Sequence, residues 1–360
     1  MKEIVISKDE LQIVTNSLFD SDKRYFRVKY PFYDLELFNL DIQKPEMKNI
    51  VQKSDFDSAA LGCRIPDLDS KQMVHYHDLR ECLLSSTVIP FSNLDEVIQK
   101  LMGYSRDFTD PSVMPRPFVL AVDTNVLYFR FISRHLMNVD DPMGVSLAHS
   151  YRYVLSELVK SEIDAQIKHK YSMQDMAIMR KAFSNNELLK EFVNGSDLLA
   201  RKAKQALNEA EFLQKRLGAH RIPVVEHSRD RELNDQIIAD SYSNWVRENH
   251  YDCCLLTADE DMLSHAIKCE LRPIQLLMPS DLPKHIRVDP WRLSELLFDL
   301  STTFGVISIE NEARIHLFGE WGGKTAKQSF EESLKLRIED EVIHQTICQD
   351  IDACRSIIGN

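Results

Sequence analysis

Apolar residues fall in short runs broken by polar stretches, and two of these runs end in carboxylates. The first reads Pro117-Phe118-Val119-Leu120-Ala121-Val122-Asp123-Thr124-Asn125-Val126-Leu127, the second Tyr251-Asp252-Cys253-Cys254-Leu255-Leu256-Thr257-Ala258-Asp259-Glu260-Asp261-Met262. Each has the continuous apolarity of a strand buried on both faces, and an open α/β sheet builds its ligand site at the carboxyl ends of such strands. Between them the spacing predicts helices over Val126 to Met137 and Ser146 to Lys170, the latter from Leu147, Tyr151, Val154, Leu155, Leu158, Ile163 and Ile167. A third helix runs from Asp197 to Leu217, with Leu199, Ala203, Ala206, Ala210, Leu213 and Leu217 as its stripe and Gly218 as its stop. Arg221-Ile222-Pro223-Val224-Val225 reads as a short strand, placed near a sheet edge by its proline. A helix from Glu232 to Asn249 precedes the second acid-tipped run, and another follows it through Met262 to Cys269. Strands separated by helices imply a parallel sheet with helices on both faces.

The flanks read differently. In residues 1–115, Tyr33-Asp34-Leu35-Glu36-Leu37-Phe38 alternates with the period of a half-exposed strand, and Leu94 to Met102 reads as a short helix. Asp107 to Pro117, with three prolines, reads as a linker. In residues 281–360, Val306-Ile307-Ser308-Ile309 and Arg314-Ile315-His316-Leu317-Phe318 flank Glu310-Asn311-Glu312-Ala313 as a hairpin, and Ser329 to Ile358 follows with helical spacing. The expected organisation is an N-terminal mixed α/β module (1–115), a central α/β domain (116–280) with a helical insertion over 171–217, and a C-terminal α+β appendage (281–360).

At 360 residues, 44% hydrophobic and 28% charged, the chain has the composition of a globular protein with an ample core. No apolar stretch approaches the roughly 20 residues that span a bilayer, and Met1-Lys2-Glu3-Ile4-Val5 lacks the pattern of a secretory signal, so a cytoplasmic location without a membrane partner is expected. The seven cysteines include no Cys-x-x-Cys pair and read as reduced thiols rather than a zinc or disulfide framework. A net charge of −12 argues against a generic basic nucleic-acid coat. Residues 116–280 carry 21 basic against 23 acidic side chains, so the middle is near neutral despite its acidic runs, and a polyanionic substrate stays open there.

Hard divalent cations take several oxygen ligands, and gathering acids from separate strand-helix units is costly unless a cation neutralises them. Two further acids lie between the runs in suggestive settings: Val159-Lys160-Ser161-Glu162-Ile163, and Asn234-Asp235-Gln236-Ile237-Ile238-Ala239 at the head of a helix. Glu157 competes with Glu162, and Asp240 with Asp235. Together with Val122-Asp123-Thr124-Asn125-Val126-Leu127 and Leu255-Leu256-Thr257-Ala258-Asp259-Glu260-Asp261-Met262, the ordered set resembles the motifs of the PIN-domain nucleases over roughly the middle half of the chain. The resemblance implies a PIN-like three-layer domain with a central parallel sheet. It also implies that Asp123, Glu162, Asp235 and Asp259 bind one or two Mg²⁺ or Mn²⁺ ions, assisted by Asp261, with Thr124, Asn125 and Thr257 orienting the carboxylates. The implied activity is endoribonuclease cleavage by a metal-activated water, leaving a 5′-phosphate and a 3′-hydroxyl.

Arg130, Arg134 and His135, on the helix after Asp123, are candidate contacts to a nucleic-acid backbone. Arg201 and Lys204 belong to a basic patch with Lys202, Lys215 and Arg216, which either grips phosphates or is a solvated helix face, since Glu209 and Glu211 interrupt it. RNA is the expected substrate, with DNA as the other polyanion nothing here rejects, and the flanks are candidate surfaces for a homo-oligomer or a protein partner. The competing readings are a non-catalytic RNA-binding or scaffolding protein on the same fold, and a phosphatase of the haloacid-dehalogenase type. The latter needs a second Asp where this chain has Asn125.

Overall fold

The computed structural model describes residues 2–19, 25–63, 73–109, 112, 116–141, 143–183, 185–224, 228, 231–311 and 313–358. Parts of the 107–117 linker, Val225 of the expected edge strand and Glu312 of the expected hairpin turn lie outside the described residues. The strands, in chain order, are β1 (Lys2–Ile6), β2 (Tyr25–Tyr30), β3 (Leu35–Asp41), β4 (Glu46–Lys48), β5 (Phe118–Val122), β6 (Arg152–Ser156) and β7 (His220–Ile222). They continue with β8 (Asp252–Thr257), β9 (Arg272–Gln275), β10 (His285–Arg287), β11 (Val306–Glu310), β12 (Arg314–Phe318) and β13 (Leu334–Ile338). The protein is α/β, with one parallel and one antiparallel sheet. Among the described residues no helix is long and apolar enough to cross a membrane.

The chain divides into two compact units, Met1–Val88 with Lys168–Lys202 and Asp281–Asn360, and Ile89–Ile167 with Ala203–Ser280. The first holds an eight-stranded sheet in the order β1-β13-β12-β11-β2-β3-β4-β10, all pairs antiparallel. Strands of the two flanks, read from sequence as separate segments, therefore share one sheet: β11 joins the expected hairpin partner β12 on one side and β2 on the other. The helix Pro290–Phe304 is the core element here. Asp289 caps it, proline opens it, nearly every side chain is buried, and it packs on β11, β12 and β13. It stops at Gly305, whose φ of +84° and contact with the Phe192 ring leave no room for a Cβ.

The second unit holds a five-stranded parallel sheet in the order β7-β6-β5-β8-β9. Its helices include α1 (Thr124–Tyr128), α2 (Glu157–Gln166), α3 (Arg231–Asn249) and α4 (Glu260–Lys268). Helix α2 packs on β6, α3 on β6, β7 and β8, and α4 on β8 and β9. As its proline suggested, β7 is an edge strand.

Several expected elements are redrawn. The single helix expected over 146–170 is a 3₁₀ turn, strand β6 and α2; Tyr153, Val154 and Leu155 are all buried because β6 is covered on both faces, and a run of that kind matches a buried helix as well as a strand. The helix expected over 126–137 breaks at Arg130, whose φ is +52°. The helix expected over 329–358 is a short helix, then β13, then Glu341–Ile358; the strand's Leu334-Lys335-Leu336-Arg337-Ile338 alternates with period two. The helix begun at Leu94 continues to Thr109. The segment 171–217 is no single insertion: residues up to Lys202 belong to the unit of the antiparallel sheet, and the helix Leu198–Lys215 continues from there into the other unit.

Candidate active site

Strand β5 is wholly buried and pairs in parallel with β8, Val122 opposite Leu256, so the residue after β5 and the last residue of β8 arrive together. The Asp123 N–H donates to the Leu256 carbonyl at 3.0 Å, continuing the ladder by one step. Asp123 is 2% exposed and caps α1. Its carboxylate accepts from the Thr124 N–H at 2.6 Å, Asn125 Nδ2 at 3.1 Å and Thr257 Oγ1 at 2.8 Å. Burial pushes its pKa up to about 6; the three donors oppose that rise and the charge of Glu162 adds to it.

Two threonines link the acids. Thr124 Oγ1 donates to Glu162 at 2.7 Å while its N–H serves Asp123. Thr257 Oγ1 donates to Asp123 and accepts from the Asp259 N–H at 2.9 Å; Asp259 in turn caps α4 by accepting from the Asp261 N–H at 2.9 Å. Thr124, Asn125 and Thr257, expected as supporting residues, each donate a hydrogen bond to one of these carboxylates.

Asp235, near the start of α3, completes the set. Its pKa is pushed up to about 7, first by burial and then by the charges of Asp123, Asp259, Glu162 and Asp261. The competing acids lie elsewhere: Glu157 faces Arg221 at 3.7 Å, and Asp240 accepts from the Cys269 thiol at 3.1 Å.

One residue escaped the sequence reading. Tyr242 is fully buried, donates to the Val122 carbonyl at 2.8 Å and accepts from the Ser156 N–H at 3.0 Å, tying α3 to the ends of β5 and β6. It lies seven residues after Asp235, two helical turns along the same face, which is the signal that could have found it.

The basic candidates do not line this site as solvent-facing groups. Arg130 and His135 are buried, and the His135 ring stacks on Phe131 at 5.2 Å. The charges of Arg130 and Arg134 offset the buried Glu209 carboxylate, which accepts from the Ile132 N–H at 3.0 Å, the Ser133 N–H at 2.9 Å and the Ser133 hydroxyl. Arg201 is 2% exposed and spends its guanidinium on the Thr303 carbonyl (3.2 and 3.1 Å), the Tyr171 hydroxyl (3.0 Å) and the Ser196 carbonyl (2.8 Å). An arginine consumed by internal acceptors offers nothing to a phosphate, so the phosphate-gripping role read for Arg201 is withdrawn. Lys204 is half-buried, and its neighbour Lys202 pairs with Asp78 and Glu81 at 2.8 and 2.5 Å.

The donor set at the sheet end is all oxygen, as Mg²⁺ and Mn²⁺ require, and its mutual repulsion is what such a cation relieves. Among the described residues no group of three or more carboxylate, histidine or cysteine side chains is already posed to hold an ion. Comparison of the chain with family models and with curated proteins finds no match.

Proposed function

We propose that this chain is a Mg²⁺- or Mn²⁺-dependent ribonuclease built on a PIN-like fold. The observation that carries the reading is Asp235, pushed up to about 7 by burial and by four other carboxylates brought in by the ends of β5 and β8 and by α2 and α4. Structural ion pairs do not arrange charge this way; acids that repel one another across strand ends are a cost to the fold, and such costs gather at functional sites.

In this reading Asp123, Glu162, Asp235 and Asp259 hold the cation and Asp261 assists. When bound, the cation supplies Lewis acidity and a nucleophile competent at neutral pH. The protein's own part is positioning. Thr257 keeps Asp123 and Asp259 in one frame, Thr124 does the same for Asp123 and Glu162, and Tyr242 anchors the helix that carries Asp235. Because Asp123 and Asp235 rise to about 6 and about 7, cation binding expels protons, and activity climbs as pH passes through that range. RNA as substrate and a cut leaving a 5′-phosphate and a 3′-hydroxyl follow from the motif resemblance.

The test is cleavage of single-stranded RNA by the purified chain with Mn²⁺ or Mg²⁺, beside Asp123→Asn. The expected loss is about 10³-fold or more, the scale of several kcal/mol of transition-state stabilisation. Absence of metal-dependent cleavage, together with calorimetric Mn²⁺ binding that ignores Asp123→Asn and Asp235→Asn, would leave a non-catalytic scaffold instead. Cleavage of DNA alone would overturn the substrate.

A further inference from the structure

A cleft of about 470 Å³ opens between the end of β7 and the stretch of α3 from Ile237 to Glu248; Asp235 does not line it. Its volume is that of a ligand pocket. One wall is aliphatic, from Ile222, Pro223 and Val224, and is continued on the helix by Ile237. The helix wall presents Asp240, Ser241, Asn244 and Glu248. Trp245 is fixed between them, its ring 5.2 Å from Tyr251 in a stacked pair and 5.1 Å from His220. Tyr251 is itself held by Arg152 at 2.9 Å.

The charges decide what fits. Asp240 and Glu248 are exposed, about 12 Å apart along the helix axis, and among the described residues neither has a lysine or arginine partner; the Cys269 thiol on Asp240 is a neutral donor. Oligonucleotide phosphates would be repelled by both. An uncharged apolar ligand would desolvate carboxylates and return no hydrogen bond. A long side chain with an aliphatic stem and a cationic end satisfies both walls at once, the stem on Ile222, Val224 and Ile237 and the end on Asp240 or Glu248, with the Asn244 carbonyl as a further acceptor. Arginine fits better than lysine, since its planar fork can engage a carboxylate through two bonds while sharing an amide acceptor. The chain's net charge of −12 favours encounter with a basic partner.

We propose that this cleft receives an arginine side chain from a basic segment of a protein partner. The inference stands on the cleft alone and is independent of the nuclease reading. It is tested by calorimetry on the full chain without divalent cations, titrating a capped Gly-Arg-Gly-Arg-Gly peptide, its lysine and norleucine analogues, spermidine and a single-stranded oligonucleotide. The expected order is arginine, then lysine, with the norleucine peptide silent. Glu248→Gln and Asp240→Asn together should weaken the arginine peptide about tenfold or more, and each alone should weaken it in part. Both residues are exposed, so the variants keep the fold; Glu248→Gln also leaves the Cys269 contact untouched. No binding at millimolar peptide, binding indifferent to both substitutions, or tighter binding of spermidine or the oligonucleotide would overturn the proposal.

Discussion

On the antiparallel sheet, Lys335 and Arg337 of β13 reach Glu191 and Glu3, and Lys29 of β2 reaches Glu310 of β11. At the ends of β5 and β8, acids answer acids. The pKa shifts record the contrast: burial raises Glu3 and Glu310, but Arg337 with Lys335, and Arg314 with Lys29, outweigh it and hold both below the usual value. For Asp123 burial prevails over three donors, and for Asp235 burial and repulsion act together. Where charge serves the fold it is paired. The acids left facing one another are the ones proposed to hold an ion, so charge removal should act with opposite sign in the two units.

The largest effect is expected from the paired side. Arg201→Ala would leave the Thr303 and Ser196 carbonyls without their buried donor and should cost about 3–5 kcal/mol, read as a fall in urea midpoint. An unchanged midpoint, with weakened RNA binding, would restore Arg201 to a nucleic-acid surface. Next comes a matched pair of charge deletions. Arg337→Gln breaks a partly buried bridge to Glu3 and Glu191 and should destabilise by about 1–2 kcal/mol. Asp235→Asn should instead stabilise the metal-free protein at pH 8 by up to about 1 kcal/mol, discounted for solvent screening of a half-exposed group, while lowering Mn²⁺ affinity. If both variants lose stability alike, the contrast between the units fails.

The same contrast fixes the sign of pH dependence. Asp123 and Asp235 have raised pKa values, so between about pH 4 and their folded values of about 6 and about 7 the folded state holds protons the unfolded chain has released, and stability in this unit falls as pH rises. In the other unit, burial with the charges of Arg314 and Arg337 lowers His316 to about 4, and Glu3, Glu10 and Glu310 are lowered too. Stability there falls as pH drops from about 6.5 through 4. Hydrogen exchange corrected for its intrinsic pH dependence should show β5 and β8 better protected at pH 5 than at 7.5, with Mn²⁺ closing the gap, and β11 to β13 the reverse. A common trend in both sheets would contradict the assignment of the shifts.

How much of this was legible follows from which signals are local. The acid-tipped runs showed themselves because a strand buried on both faces is continuously apolar and its capping acid is adjacent in sequence. The hairpin of β11 and β12 was equally readable. Strand β6 was not, because Tyr153, Val154 and Leu155 sit between residues whose spacing also satisfies a helix. The alternation of β13 was present in Leu334, Leu336 and Ile338 but was absorbed into the longer helical pattern after it. The sharing of one sheet by β2 and β11 depends on pairing across more than half the chain, which no periodicity encodes. Arg201 misled because charge on a helix reads as surface, whereas its buried acceptors come from distant segments.

The smallest expected effect is the one that most sharply separates local from assembled information. Glu157 and Glu162 lie on one helix in similar sequence settings, yet Glu162 accepts from Thr124 at 2.7 Å beside Asp123 while Glu157 faces Arg221 across a half-exposed 3.7 Å gap. An exposed pair of that kind is worth about 0–1 kcal/mol. Glu157→Gln should therefore shift the urea midpoint barely and leave Mn²⁺ affinity within about twofold, whereas Glu162→Gln, which removes a charge from the coupled set, should weaken Mn²⁺ about tenfold or more. Equal losses in the two variants would mean that the ion, if bound, sits nearer the start of α2 than Asp123 and Thr124 imply, and the carboxylate set would have to be redrawn around Glu157.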